Sequence, residues 1–560
     1  MLQNPKDWNS IQPFFHDLQQ TDLNQQNVED WLQRWSDLEA QIFEAYSRAY
    51  RAKMEDTSNH SAETAFLDLL ETVLPPVSIA ANELKQKLLA FSDYQPTIQT
   101  SQLLRRIRAE AQIFQEKNVP LFTELGKLAV EYDKIVGSLE IEFEGKKITF
   151  YAANAKLELP DRALRETIYR RMVAAWALVR DELDLIFLKM LPLRRQIAKN
   201  AGFNDYREYI WLEKNRFDYS PEDALNLHQI ILDQVVPIAS DLRIERLQRF
   251  QLDAVKPWDT NVSFDGLPAL RPFSNVTELE SKISSMFHRL DSELGVQFDT
   301  LREKDLDLEA RAGKGPGGFC DFFPASGKAY IFMNAVGTQD DVQTMLHEGG
   351  HAFHALESYA QQNLHWNYHG PMEFCEVASM GMELLASPYL ELENGGFYST
   401  QDAIRARSIH LRQSAILFLP YMAVVDAFQH WLYVDANDNV KMAEIHAKWA
   451  QLHQKFVPSV DFAGIEAGLL MRWQLQSHIF TAPFYYIEYG IAQLGALQLW
   501  QHSLEKPHQT VQQYRHALGL GNTKGLAELF AAAGIKLPFD AQLVKGLMTF
   551  VSEQIGLKYA

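Results

Sequence analysis

Apolar residues recur at helical spacing through most of this 560-residue chain. Long segments mix apolar and charged positions as amphipathic helices do, among them residues 28–52, 62–74 and 101–117. Another helix is predicted to begin after Pro160-Asp161 and to continue through RETIYRRMVAAWALVRDELDLIFLKM. The pattern therefore predicts a mainly α-helical protein.

Strand patterns are confined to two short regions. Residues 140–151 alternate apolar and polar positions on both sides of Glu144-Gly145, which predicts a hairpin. Residues 308–334 combine the glycine-rich turn GKGPGG with the apolar segments FCDFF and AYIFMN, which predicts a small sheet. The segment 261–275 is rich in Pro, Gly and Asn and is a candidate loop between lobes.

Charge and cysteine content narrow the class of partner and compartment. The formal net charge of -19 repels phosphate backbones and anionic lipid headgroups, so we expect neither a nucleic-acid nor a membrane partner. Two cysteines, Cys320 and Cys375, are too few for a disulfide framework. The chain begins without a recognisable export signal, and we expect a cytoplasmic protein.

The clearest catalytic motif, HEGGH, lies in one predicted helix. Thr338 stands three residues before Asp341, a capping arrangement that predicts the helix start. His347 and His351 are four residues apart, so both imidazoles project from one side and can bind the same metal ion. Glu348 lies beside them and is placed to take a proton from metal-activated water. The order His-Glu-x-x-His is typical of zinc peptidases.

Two adjacent glycines interrupt the same helix. Gly349 and Gly350 each cost about 1 kcal/mol of helix stability relative to alanine. A helix selected for stability alone would not contain the pair. We therefore expect another part of the protein to approach the backbone closely at this point.

A third metal ligand is expected from a second helix that follows Gly370-Pro371. Its sequence, PMEFCEVASMGMELLAS, places Glu373, Glu376 and Glu383 on one face, with Glu376 at the centre. Any one of these carboxylates could complete the site. A second one could orient a ligating imidazole from behind.

The two motifs together resemble a known family. HEGGHAFHALES followed by GPMEFCEVASMGMELL is similar to the oligoendopeptidase F and thimet oligopeptidase family of zinc metallopeptidases, closest to its Pz-peptidase-like bacterial branch. The similarity extends over roughly residues 308–500. It implies that Glu376 is the third ligand of one Zn²⁺ per chain, beside His347 and His351. With Glu348 as general base, Glu383 is then the carboxylate expected to orient a ligating imidazole. It also implies two helical lobes around a deep substrate channel, which we divide into residues 1–200 and a catalytic region 201–560.

The segment SHIFTAPFYYIEYGIAQLGALQLW adds four aromatic candidates, His478, Tyr485, Tyr486 and Tyr489. Aromatic residues at helical spacing ordinarily pack in a core. The family resemblance implies instead that the histidine and the tyrosines bind the substrate carbonyl and stabilise the oxyanion. We favour Tyr486 and Tyr489 as catalytic donors and Tyr485 as a substrate contact.

The strand AYIFMN is a candidate for peptide binding. If it lies at a sheet edge, an extended peptide could add to it by main-chain hydrogen bonds, and Phe332, Asn334 and Ala335 would contact substrate. The alternative is an ordinary core strand.

These features predict a zinc-dependent endopeptidase that hydrolyses short peptides. Two alternatives remain open, a zinc exopeptidase and a catalytically silent peptide-binding protein. Co²⁺ or Mn²⁺ could occupy the same ligands, although two imidazoles and a carboxylate favour zinc. No oligomeric state is predicted.

Overall fold

The computed structural model describes residue 2 and residues 4–557, most of which lie in helices. The helices before residue 201 are α1 (Trp8–Gln20), α2 (Val28–Glu55), α3 (His60–Asp68), α4 (Leu74–Ala90), α5 (Ile98–Ile113), α6 (Val119–Gly137), α7 (Phe150–Lys156) and α8 (Arg162–Asn200). They are followed by α9 (Tyr206–Glu213), α10 (Pro221–Gln234), α11 (Val236–Phe250), α12 (Val276–Leu290) and α13 (Ser292–Leu301). The mainly helical prediction is confirmed.

The helices of the remaining chain surround the HEGGH segment. They are α14 (Gln339–Gln361), α15 (Met372–Leu385), α16 (Thr400–His410), α17 (Phe418–His430), α18 (Met442–Phe456), α19 (Glu466–Leu470), α20 (Ser477–Thr481), α21 (Tyr486–Glu505), α22 (Pro507–Gly519), α23 (Leu526–Ala532) and α24 (Ala541–Gln554). A wider π turn, Leu411–Leu417, joins α16 to α17 without a break. Turns of this kind are frequent at functional sites.

The predicted hairpin is present and turns where the sequence indicated. Strand β1 (Glu140–Phe143) pairs antiparallel with β2 (Lys146–Thr149). Glu144 and Gly145 between them have φ values of 51° and 75°. Two consecutive residues with positive φ match the right-handed twist of a tight hairpin, which is why glycine is favoured there.

The second sheet has three strands and corrects one expectation. Strand β5 (Lys328–Ala335) lies between β3 (Leu306–Glu309), which is parallel to it, and β4 (Phe319–Phe323), which is antiparallel. The segment AYIFMN is therefore a central strand, and the interpretation of it as a sheet edge is wrong. Its neighbours already pair with its backbone on both sides. The free edge nearer the HEGGH helix belongs to β4, which packs against α14.

Helix α15 is the most enclosed element of the catalytic region. It packs against α14 on one side and α21 on the other, and every residue from Glu373 to Leu385 is buried. A helix that is apolar around most of its circumference belongs in a protein interior. Here the interior position also buries three carboxylates, so each of them needs a polar partner.

Two hydrophobic cores are present. The smaller one is formed mainly by α1 to α5, with Trp31 and Trp35 fully buried in it. The larger one begins at Ile113 and continues to α24, and it includes Phe187 and Met190 of α8. The change of core thus falls near residues 107–113, while the lobe boundary at residue 200 stays a prediction.

Two helical stretches, His60–Ala90 and Thr400–Asp435, are long and apolar enough to cross a membrane by length and composition. This is weak evidence, because core helices of globular proteins pass the same test. In the second stretch 72% of the most apolar window is buried within the protein, as expected for a core helix. The cytoplasmic location stays a prediction.

Candidate metal centre and active site

Helix α14 begins at a capping box that sets the orientation of both histidines. The Thr338 side chain accepts from the Asp341 backbone N–H at 3.2 Å, and Asp341 accepts from the Thr338 N–H at 2.7 Å. Two orphan donors of the first turn are thereby satisfied. Further along, the His347 and His351 rings lie 5.0 Å apart between centroids and nearly perpendicular, at 82°.

Helix α15 brings Glu376 to the same place. Its Oε2 lies 3.4 Å from Nε2 of His347 and 3.7 Å from Nε2 of His351. One donor atom from each of the three residues lies within 4.8 Å of the others. The structure therefore brings together the three side chains predicted as metal ligands.

The donor set fits zinc in geometry, and Glu376 and His351 also fit in protonation. Tetrahedral ligands bonded to zinc at about 2.0–2.1 Å lie roughly 3.3 Å from one another, close to the separations found here. Burial opposes ionisation of Glu376, yet the imidazoles of His351 and His347 lower its pKa to about 2. Burial lowers the pKa of His351 to about 4, so this imidazole is neutral at pH 7. An ionised carboxylate and a neutral imidazole are the forms that bind metals.

His347 is held from behind by a second carboxylate. Its Nδ1 donates to Oε1 of Glu383 at 2.6 Å, and Oε2 of Glu383 lies 3.2 Å from Nε2 of His410. Burial alone would lower the pKa of His347, but the hydrogen bonds to Glu376 and Glu383 raise it well above its usual value. The Glu383 contact directs Nε2 of His347 toward Glu376, which is the supporting geometry expected of this residue.

Glu348 faces a cavity of about 440 Å³ beside the two histidines. It is buried, with 5% of its surface exposed, and its Oε2 has no hydrogen-bond partner in the described part of the chain. Burial raises the pKa of Glu348 to about 7, and the charges of Glu376 and Glu383 act in the same direction, while His347 opposes them. A carboxyl with this pKa can both accept and release a proton near neutral pH.

The cavity is enclosed by several elements of the catalytic region. Helices α14 and α15, the π turn before α17, and the segment from α20 to α21 all supply wall residues. Those that bear on the chemistry are His347, Glu348, Glu383, His410, Gln413, Phe418, His478, Tyr486 and Tyr489.

Gly350 explains how the two helices come close enough to share a metal. A Cβ on Gly350 would lie 2.5 Å from the carbonyl oxygen of Ala378 and 2.6 Å from Cα of Ser379, both backbone atoms of α15. A Cβ on Gly349 would lie 2.7 Å from the ring of Phe287. The expectation that these glycines mark a close approach is confirmed, and the partner at Gly350 is the helix that contains Glu376.

A chain of hydrogen bonds orients His478 and Tyr489. The Tyr421 hydroxyl donates to Oε1 of Gln476 at 3.2 Å, and Nε2 of Gln476 donates to Nδ1 of His478 at 2.9 Å. Nε2 of His478 lies 3.0 Å from the Tyr489 hydroxyl. Burial lowers the pKa of His478 to about 4, so the ring is neutral and its single proton is on Nε2. The Tyr489 oxygen accepts that proton, which leaves its own O–H free to donate into the cavity.

Tyr486 and Tyr485 lie on different sides of this site. Tyr486 lines the cavity and packs against Phe418 and Tyr421. Tyr485 donates its hydroxyl to Oε1 of Glu376 at 2.5 Å and is not among the residues that line the cavity. Its hydroxyl therefore holds the carboxylate in place, and the substrate contact predicted for Tyr485 stays a prediction.

The segment before Tyr485 is held in a strained conformation. Phe484 has φ of 60°, which a bulky residue rarely adopts. Its N–H donates to Oε1 of Gln429 at 2.8 Å, its carbonyl accepts from Arg216, and its ring packs against His430. Such strain persists where surrounding contacts over-determine it. Gln429 and Arg216 were missed by sequence reasoning, because no local pattern identifies residues that hold a distant backbone segment.

The residues predicted on β5 are structural in their contacts. Phe332 is fully buried and stacks on Phe319 at 4.7 Å, and Ala335 pairs with Glu309 in the sheet. The Asn334 side chain donates to the carbonyls of Gly315 and Gly317 in the glycine-rich turn. Their roles in peptide binding stay predictions. The reason given for these roles, that β5 lies at a sheet edge, no longer applies because β5 is the central strand.

The sequence profile of peptidase family M3 matches residues 155–549, which is more than half of the chain. The chain belongs to peptidase family M3. The oligoendopeptidase F homologue of Borreliella burgdorferi is 25% identical over 252 residues, which cover 45% of this chain and 41% of that protein. The match thus spans less than half the length of that relative.

Solved structures show that the M3 similarity extends beyond the profile. A structure of Pz peptidase A with an inhibitor has a TM-score of 0.93 and 27% identity, and covers 98% of this chain and 97% of its own. An oligoendopeptidase F structure has the same TM-score and coverage, with 26% identity. The helices before residue 155 therefore belong to the shared fold, and the family resemblance seen in the motifs is confirmed.

The contact at Gly350 leads to a testable prediction for this M3 peptidase. We expect Gly350→Ala to force α14 and α15 apart, because the new methyl group would overlap backbone atoms that cannot rotate away. Overpacking of this kind costs about 1–3 kcal/mol. The midpoint temperature of thermal unfolding should fall. The zinc content after dialysis against a fixed zinc concentration should fall as well.

Gly546→Ala is the matched control for this prediction. Gly546 lies in α24, and no atom outside its own helix lies within 4 Å of a Cβ built there. Alanine at this position should raise stability by about 1 kcal/mol through helix propensity and leave zinc content unchanged. Wild-type zinc content and stability in Gly350→Ala would contradict the close-approach explanation.

Proposed function

We propose that the chain is a zinc-dependent endopeptidase that hydrolyses short peptides, with Glu348 as the general base. One observation carries the proposal. The three donors of His347, His351 and Glu376 converge beside Glu348, whose Oε2 lacks a hydrogen-bond partner among the described residues and which lines a cavity. Membership of family M3 and the names of the relatives support peptide substrates.

Each group of side chains at the site has a separate role in the proposed hydrolysis. Zinc held by His347, His351 and Glu376 would supply a Lewis acid that makes water a better nucleophile at neutral pH. Glu348 accepts a proton from the attacking water and later passes it to the leaving amine. Tyr489 donates its free hydroxyl proton to the oxyanion that forms as the carbonyl is attacked.

Supporting residues keep these groups in position. Glu383 orients His347 from behind, and the Tyr485 hydroxyl holds Glu376. His478 holds the Tyr489 oxygen, so that the phenol proton is directed at the substrate. Tyr486 is the second candidate for an oxyanion donor, since it lines the same cavity.

The peptide is proposed to lie along the free edge of β4. A Cβ on Gly318, immediately before β4, would lie only 3.3 Å from Oε1 of Glu348, so this edge adjoins the general base. Main-chain hydrogen bonds to a strand edge give affinity without a strict sequence requirement. Cys320 and Cys375 are both unpaired thiols, consistent with the proposed cytoplasmic location.

Replacing the base tests the mechanism. We expect Glu348→Gln to lower kcat by about 10²- to 10⁴-fold, because the amide has nearly the same shape but cannot accept the proton. Zinc content and thermal stability should stay close to wild type. Glu357→Gln, on the same helix and paired with Arg515, is the control and should leave kcat unchanged. Wild-type turnover in Glu348→Gln would remove Glu348 from the mechanism.

Removing single hydroxyl groups tests the oxyanion donor. Tyr489→Phe should lower kcat by about 10²- to 10³-fold with little change in KM, since the lost hydrogen bond forms mainly in the transition state. Tyr486→Phe should have a smaller effect, because His478 is hydrogen-bonded to the Tyr489 hydroxyl, whereas its contact with Tyr486 is between rings. Tyr359→Phe, at a partly exposed position, is the control. An unchanged kcat in Tyr489→Phe with a large loss in Tyr486→Phe would reverse the assignment.

Metal dependence and the position of the cut are tested together. Purified protein should contain about one zinc per chain, and chelation should abolish cleavage until zinc is restored. A quenched peptide blocked at both ends should be cut at an internal bond, with the products identified by mass spectrometry. Cleavage restricted to peptides with a free terminus, one residue from that end, would favour the exopeptidase alternative. Zinc binding without cleavage would favour the silent binding protein.

A further inference from the structure

A second cavity, of about 290 Å³, adjoins the catalytic one. The two share Gln413 and Phe418 in their walls, at the π turn that leads into α17. Its other walls come from α11, α18 and the segments that follow Val255 and Val457. The two cavities therefore meet at these side chains, and we call the second one the arginine pocket.

The polar part of the arginine pocket is positively charged. Arg243, Arg246 and Arg472 line it together with His453, and no Asp or Glu is among the lining residues. Burial lowers the pKa of His453 to about 3, and the charges of Arg472 and Arg243 contribute, so this ring is neutral. A pocket with three guanidinium groups and no carboxylate contrasts with a chain whose net charge is -19.

Arg243 is the distinctive residue of the pocket. It projects from α11 and is 8% exposed, and within the described residues it makes no side-chain hydrogen bond or ion pair. Its Nη1 is fully buried without a partner. Burial and the charge of Arg246 lower the pKa of Arg243 to about 10, so it is still protonated at neutral pH. A buried, uncompensated charge is costly and is normally paired.

The two neighbouring arginines bring no carboxylate into the pocket that could also neutralise Arg243. Arg246 donates to the backbone carbonyls of Asp259 and Val262, each at 2.6 Å, and forms no ion pair with any residue between 4 and 557. No carboxylate in the described chain lies within 4.0 Å of the Arg472 side chain, which packs against the ring of Tyr421. The pocket therefore has donors in excess of acceptors.

Two carboxylates whose charges act on Arg246, those of Asp259 and Glu245, are already paired. Asp259 is fully buried and is held by Arg162 at 2.9 Å and Arg165 at 3.0 Å. Glu245 pairs with Arg412 at 3.0 Å. Rearranging either carboxylate toward the pocket would leave another arginine without its partner. Neither of these carboxylates is therefore free to pair with Arg243.

We propose that the arginine pocket is a subsite that binds a carboxylate of the peptide substrate, with Arg243 as its principal ligand. This inference rests on the proposed function, because the peptide reaches the pocket from the catalytic cavity. A carboxylate is planar and accepts two hydrogen bonds from one guanidinium, which suits Arg243. The group is supplied either by the carboxyl terminus of the peptide or by an acidic side chain. Peptides with such a group at the right distance from the cut bond are then the preferred substrates.

Four matched peptides separate the two sources of the carboxylate. All four share one cleavable core. Each ends in either a C-terminal acid or an amide, and each has either Glu or Gln at one chosen position. The set of four is repeated with that position moved along the peptide. KM and kcat are measured with wild-type enzyme. Dissociation constants are measured by calorimetry with Glu348→Gln, whose slow turnover leaves the peptide intact during the titration. We expect the carboxylate peptide to bind about 10- to 100-fold more tightly than its neutral partner.

Arg243→Met tests the assigned residue. It should reduce the preference to within about 3-fold, mainly through KM. Its thermal stability should equal or exceed that of wild type, because an uncompensated buried charge has been replaced by an apolar side chain. Arg249→Met, which removes an exposed arginine from the same helix, is the control and should keep the preference.

The peptide measurements distinguish failure of the carboxylate subsite from failure of the proposed peptidase function. A preference for acid over amide identifies the chain terminus, and a preference for Glu over Gln identifies a side chain. Equal binding of all four peptides by a wild-type enzyme that cleaves them overturns the inference alone. A preference retained in Arg243→Met, with lower stability, also overturns it and makes Arg243 a structural residue. If none of the four peptides binds or is cleaved, both the inference and the proposed function are overturned.

Discussion

The contact between α14 and α15 at Gly350 determines the geometry of the whole site. With no Cβ there, the Ala378 carbonyl and the Ser379 Cα can pack directly against the α14 backbone. The separation of the helices in turn sets how far Glu376 lies from the two imidazoles. A metal that requires ligand bonds near 2 Å tolerates little variation in that separation. Helix stability is thus given up at two glycines so that donors from different helices can converge.

The burial of α15 also determines which residues must surround it. Its three carboxylates are out of water, and each is matched by specific partners. Glu373 accepts from Tyr219, Glu376 faces His347, His351 and Tyr485, and Glu383 lies between His347 and His410. Charged groups in a protein interior are tolerated only with such partners. Arg243, in the arginine pocket, has no such partner among the described residues, which is why we assign a ligand to it.

Sequence patterns were sufficient for the parts of the site that depend on local spacing. The four-residue separation of His347 and His351 and the single face shared by the glutamates of α15 follow from helix periodicity. Residue spacing could not show that β5 is a central strand, since strand order depends on non-local pairing. Nor could it show that Phe484 is held with positive φ or that Tyr485 contacts Glu376, because both depend on packing between distant segments.

The position of α15 between α14 and α21 has a consequence for how the protein is made. Helices α14 and α15 leave the ribosome well before α21 is synthesised, so the nascent chain exposes an apolar helix that contains three carboxylates. Only when residues beyond Tyr485 emerge can that face be covered and Glu376 receive its tyrosine partner. Partly synthesised chains of this size are prone to aggregate through exposed apolar surface. The cluster of His347, His351 and Glu376 therefore gains its tyrosine contact only after the chain has been synthesised beyond Tyr485.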